Sequence, residues 1–135
     1  MKEERIVACG KRKRCVARAT IVPGTGKVIL NKQTYEFLPE IRKLMIEEPL
    51  MIAKEVLGSL NFDIHVSING GGAEAGVEAA RLAIARALVA ASKSKELRKA
   101  YLEYDRNLLV ADTRRKEPYK PGDSKARAKR QKSYR

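Results

Sequence analysis

Phe62-Asp63-Ile64-His65-Val66-Ser67-Ile68-Asn69-Gly70-Gly71-Gly72, with the alanine-rich run Ala73–Ala91 behind it, decides the fold. Phe62, Ile64, Val66 and Ile68 alternate with polar residues, the period of a strand that buries one face. The three glycines break that period and accept backbone angles closed to other residues, so a sharp turn is expected. Gly72, the last before the helix, is expected to be intolerant of bulk. Ala73–Ala91 is rich in helix formers and lacks proline. Val77, Ala80, Ile84, Leu88 and Ala91 fall on one stripe at spacings of three and four, while Glu74, Glu78 and Arg81 lie off it. Strand, turn and helix form the expected core, and the small alanines let the helix lie close on a sheet.

Working outward, charge separates the chain into parts. The 135 residues carry a net +13. Residues 1–18 have seven Lys and Arg against Glu3 and Glu4, and residues 113–135 have ten against Glu117 and Asp123. Residues 19–112 hold twelve of each sign and are neutral. An excess confined to both ends of a neutral body points to a polyanionic partner. Nucleic acid fits better than a membrane: no apolar run approaches the roughly 18 residues of a spanning helix, and no basic amphipathic helix stands near either end. No apolar leader follows Met1-Lys2-Glu3-Glu4-Arg5, and two cysteines make no disulfide framework, so an intracellular, reducing location is expected.

Before the core, Ile6–Cys9 and Cys15–Val22 read as strands of a hairpin whose tip is Gly10-Lys11-Arg12-Lys13-Arg14. Cys9 and Cys15 are expected near each other as two small buried thiols, with a disulfide left open. Pro23-Gly24-Thr25-Gly26 is a turn, and Lys27–Asn31 a third strand extending the hairpin to a meander. Tyr35–Gly58 has helical spacing, with Pro49 expected to end one helix or begin another. After the core, Ser94–Tyr104 is a short helix and Leu108–Ala111 a last strand or its remnant. Residues 113–135 contain no Leu, Ile, Val or Phe and cannot bury themselves. The expected architecture is an α/β two-layer sandwich with helices on a small sheet over 1–112, followed by an extended basic tail over 113–135.

Enzymatic constellations are incomplete. Gly24-Thr25-Gly26-Lys27 lacks the first glycine and the Ser/Thr of a phosphate-binding loop, where Ile21 and Val28 stand. Gly70–Ala75 has the letters of a dinucleotide fingerprint, but no second strand ends in an acid about 20 positions on, and Glu74 would repel a pyrophosphate. His65, the one histidine, alternates with the core residues and so points away from them, and no Cys-His-carboxylate spacing makes a metal site. No cofactor is expected. What remains is the basic ends: Lys11, Arg12, Lys13 and Arg14 at the tip, and Arg114, Arg115, Lys116, Lys120, Lys125, Arg127, Lys129 and Arg130 in the tail. Arginine binds phosphate with two donors and lysine as a mobile point charge, while Tyr119 and Tyr134 offer rings for stacking. With few other aromatics, binding is phosphate-led. RNA is favoured over DNA because no helix-turn-helix or finger pattern occurs. The rivals are a phosphate-handling enzyme and a DNA-compacting protein.

These residues carry a resemblance to the ninth small-subunit ribosomal protein family, archaeal type, over nearly the whole chain. Its anchors are Gly10-Lys11-Arg12-Lys13, Gly26-Lys27 with Asn31, Pro49-Leu50, Val66 to Gly72 with Gly76, Ala80-Arg81 with Ile84 to Leu88, Asp112-Thr113-Arg114 with Glu117, Lys120 with Gly122, Ala126-Arg127, and Gln131-Lys132-Ser133-Tyr134-Arg135. Tyr134 is similar to archaeal and eukaryotic members; Val77 and Lys125 depart from the usual residues. The resemblance implies a left-handed crossover between parallel strands, against the general rule. It implies a non-enzymatic structural protein of the small-subunit head in the cytoplasmic ribosome. Its implied partners are small-subunit ribosomal RNA, neighbouring head proteins and the anticodon stem-loop of P-site transfer RNA. Lys132, Ser133, Tyr134 and Arg135 are implied as the transfer RNA contacts, and the basic tip and tail as the ribosomal RNA contacts.

Overall fold

The computed structural model describes residues 4–123, 125–130 and 132–134. Strands β1 (Ile6–Arg12) and β2 (Cys15–Pro23) pair antiparallel from Ile6↔Ile21 to Arg12↔Cys15. Strands β3 (Val28–Leu30) and β4 (Gln33–Thr34) are short, and β5 (Phe62–Asn69) is the strand expected from its alternation. The order across the sheet is β1-β2-β5-β3-β4. The helices are α1 (Glu40–Leu57), α2 (Ala73–Ser92) and α3 (Lys95–Tyr104). This is an α/β fold with a five-stranded sheet and three helices.

The meander does not form. β3 lies parallel to β5, which inserts between β2 and β3. Asp63 is the physical reason. Its Oδ1 accepts the backbone N–H groups of Thr25, Gly26 and Lys27 at 2.8, 3.0 and 3.0 Å, and Gly24 N–H donates to the Asn61 carbonyl at 2.9 Å. The loop after β2 is thus tied to the start of β5, which sets β3 beside it. Those amides, Lys27 first, hold the Asp63 carboxyl below its ordinary range. Asn31 repeats the device at the other end, accepting from Ile68 N–H at 2.8 Å.

α2 packs across β1, β2 and β5 and is buried on more than one stripe, because α1 covers it from the side. Ile21, Ile64, Ile84 and Leu88 are at most 2% exposed, and burying each stabilises the fold by roughly 1.5–3 kcal/mol. The helix lies so close that β1 needs glycine where it crosses: a Cβ on Gly10 would run into the Ala79 carbonyl.

Three further expectations are corrected. Pro49 neither ends nor starts a helix; it stands inside α1. It costs the helix one N–H, but Ile46, Leu50 and Ala53 are buried, and the fully buried Tyr101 donates its hydroxyl to the Pro49 carbonyl at 2.7 Å. Leu108–Ala111 is not a strand. A 3-10 turn, Arg106–Leu108, is capped by Asp105, and Leu108 plugs the core. Finally, Cys9 pairs with Arg18 and is exposed, whereas Cys15 is buried beside Arg12. The odd offset between Cys9 and Arg12 puts the two thiols on opposite faces of the sheet.

Candidate nucleic-acid interface

The β1–β2 hairpin is tighter than expected. Lys11 and Arg12 belong to β1, and only Lys13 and Arg14 form the turn, with Lys13 at φ 52. Lys11, Lys13 and Arg14 are exposed. Arg12 is not. Its side chain is 14% exposed; Nε donates to Glu78 at 2.5 Å, and Nη1 lies 2.8 Å from Asp112 as an ion pair without hydrogen-bond geometry. The sequence marks it as one of four equal cations; α2 and the end of the body turn it into a strut.

Asp112 ties this hairpin to the C-terminal segment. Arg114 grips the same carboxylate through Nη2 at 2.7 Å and Nε at 3.0 Å, and its backbone N–H adds a third bond. The Arg114 fork, its amide and the nearby Arg12 hold the Asp112 carboxyl far below the usual carboxylate range. Arg86 fastens the same end from inside, donating to the Leu109 carbonyl at 3.0 Å and the Cys9 carbonyl at 2.9 Å.

From this anchor the chain runs over the glycine turn. Arg114, Arg115, Lys116, Glu117, Pro118 and Tyr119 line one cleft of about 820 Å³ together with Lys13, Arg14, Gly71, Gly72 and Ala75. Two basic segments a hundred residues apart in sequence therefore share one concave surface with five cations and a single acid, Glu117. Tyr119 stands at its edge, where Lys116 bonds its hydroxyl at 2.9 Å and lies 4.5 Å from its ring centroid; the ammonium draws the phenol below its ordinary range.

Farther along, residues 113–120 and 128–130 carry no helix or strand, and a turn covers 121–122. Lys120, Lys125 and Lys129 are exposed. Arg127 pairs with Glu117 at 2.9 Å, and Arg130 donates to the Gly122 carbonyl at 2.7 Å, so the segment folds back on itself there. Lys132, Ser133 and Tyr134 are exposed, with no bond among the described residues; Arg135 lies outside them. Arg18 is a further exposed cation, outside both the tip and the tail. Ala17 and Ala19 are buried on either side, so the alternation of β2 puts Arg18 on the open face of the sheet, a signal legible once that strand is accepted. His65 is exposed on β5, as expected. Among the described residues no group of His, Cys, Asp and Glu could hold a metal, and no helix is long and apolar enough to cross a membrane.

The class defined here is a small α/β module in which part of each basic end, Lys13 with Arg14 and Arg114 to Lys116, lines one concave surface. A family model described as ribosomal protein S9/S16 matches residues 10–135, and the chain belongs to that family. It is 44% identical over 129 residues to the small ribosomal subunit protein uS9 of Methanococcus vannielii, covering 93% of this chain and 95% of that one. It is 43% identical over 129 residues to the uS9 proteins of two strains of Methanococcus maripaludis, with the same coverage. The family is one of ribosomal proteins, not of enzymes, which removes the phosphate-handling rival.

Proposed function

We propose that this protein is a structural constituent of the small ribosomal subunit of the cytoplasmic ribosome, seated in the subunit head. It binds small-subunit ribosomal RNA through the cleft between hairpin and C-terminal segment. The observation that carries this reading is the convergence of Lys13, Arg14, Arg114, Arg115 and Lys116 on one concave surface. A phosphodiester backbone matches that charge, and the backbone turn at Gly70–Gly72 leaves room for it to approach. Lys11, Lys120, Lys125, Arg127, Lys129 and Arg130 extend the same field, while Arg12 braces the hairpin. Residues 113–135 act as a basic arm beyond the body, and its end, Lys132 to Arg135, contacts the anticodon stem-loop of P-site transfer RNA. The family resemblance further assigns a left-handed path to the β3–α1–β5 crossover.

Lys13→Gln, Arg14→Gln, Arg115→Gln and Lys116→Gln combined should weaken binding to small-subunit ribosomal RNA and flatten its dependence on salt. Each lost phosphate contact removes about 0.7–0.9 from the slope of log K against log salt. The matched control is Lys43→Gln with Lys99→Gln, on the helical side. A slope equal to the native one in the fourfold variant would remove the cleft from the RNA interface.

A further inference from the structure

Large apolar side chains stand in water along one line of α1. Ile41 is 75% exposed, Leu44 54% and Met51 60%, and Phe37, just before the helix, is 82% exposed. Ile41, Leu44, Glu48, Met51 and Glu55 are spaced by three and four and share one stripe of the helix. The inner face of α1, with Ile46, Leu50 and Ala53, is already buried in the core, so this stripe is a second apolar face that the fold does not use. Tyr104 of α3, 59% exposed, borders it and bonds Glu48 at 3.4 Å. Isolated exposed apolar residues are ordinary, but several on adjacent turns form a contact patch.

The charge around the patch is opposite to that of the rest of the molecule. Residues 36–57 carry five glutamates against Arg42, Lys43 and Lys54, a net −2 in a chain of +13. Arg42 is drawn away to Glu74 of α2, and Lys43 to Glu47. Glu36, Glu40 and Glu55 have no ion-pair partner among the described residues. RNA phosphates are repelled by such a surface. Glu48 is already paired with Arg81 of α2 at 2.5 Å, so in a second copy of this chain it is the unpaired Glu55 that would be set against its own equivalent. A cationic protein segment with apolar anchors meets both features.

We infer that the outer stripe of α1 is a protein-docking face whose occupant is a Lys/Arg-rich segment of a neighbouring subunit protein, with apolar side chains that cover Ile41, Leu44 and Met51. The two sides of the molecule divide the work: the cleft side takes RNA and the α1 side takes protein. This inference rests on the reading of the chain as a small-subunit constituent.

The test is photocrosslinking from Leu44→p-benzoyl-phenylalanine in purified small subunits that contain the full chain. The expected product is an adduct with one subunit protein, mapped to a peptide of net positive charge. An RNA adduct, an adduct with a second copy, or no adduct overturns the inference. A second variant, Ile41→Asp with Leu44→Asp, should keep the thermal midpoint and RNA affinity of the free chain, because both side chains already lie in water. It should lower the binding of the crosslinked protein to purified subunits roughly tenfold, the size of losing an anchor pair at an interface centre. Native binding in that variant also overturns it. Absence of the unaltered chain from the subunits would instead sink the underlying reading, and sedimentation of that chain reports it separately.

Discussion

Gly71 and Gly72 are neighbours with opposite tolerance. Gly71 has φ 62, and a Cβ there would press into the Cys15 Sγ, which bonds the Gly70 and Gly72 carbonyls. Gly72 has φ −93, is the N-cap of α2, and has open space where a Cβ would stand. The residue expected to resist bulk was therefore the wrong member of the trio. Positive φ falls on Gly70 and Gly71, where the chain reverses under the hairpin turn. Gly71→Val should lower stability by more than the roughly 1–3 kcal/mol of backbone strain, because a buried thiol must also move. Gly72→Ala should change it by less than about 0.5 kcal/mol. Urea unfolding of both variants checks this; equal midpoints would mean that the turn can relax freely.

At the scale of an element, α1 survives its proline because of what surrounds it. A proline inside an exposed helix costs about 3 kcal/mol, and the buried residues on either side of Pro49 offset it. Tyr101 adds a specific tie between α3 and α1, and its burial pushes the phenol pKa upward, since no charged form is tolerated there. Tyr101→Phe keeps the ring and removes the hydroxyl. It should destabilise the free chain by about 0.5–1.5 kcal/mol with no effect on RNA affinity. Thermal unfolding beside RNA titration separates the two; a loss of affinity at unchanged stability would connect α3 to the RNA side.

For the whole molecule, the buried core and the cations of the basic ends lie in different regions. The buried apolar side chains run from Cys15 to Leu108, and the last anchor of the body is Asp112. The terminal residues Ser133 and Tyr134 are exposed and bond nothing described. Deleting Ser133-Tyr134-Arg135 should leave the thermal midpoint and subunit assembly unchanged. It should weaken P-site transfer RNA binding by about 1–3 kcal/mol, the worth of a charge-assisted contact, and do so equally for initiator and elongator species because phosphate contacts ignore base identity. Filter binding to purified subunits measures it. Failed assembly with native transfer RNA affinity would make the terminus an assembly element.

The sequence by itself determined the parts whose causes are local. Alternation in Phe62–Asn69 and the alanine-rich spacing of Ala73–Ser92 specify strand and helix because each repeats the geometry of its own backbone. Segregation of charge specifies two basic ends on a neutral body, since net charge needs no fold to be counted. The tertiary structure alone decided the rest. Asp63 reads as one more polar residue in a strand until three amides of a distant loop converge on it and set the strand order. Arg12 is equivalent to Lys11 and Lys13 until Glu78 and Asp112 arrive from α2 and the chain's far end. Pro49 breaks a helix in isolation and is held in one by a tyrosine 52 residues away. In each case the deciding partner lies far along the chain, and the energy of a contact depends on which residues meet, a fact that periodicity does not encode.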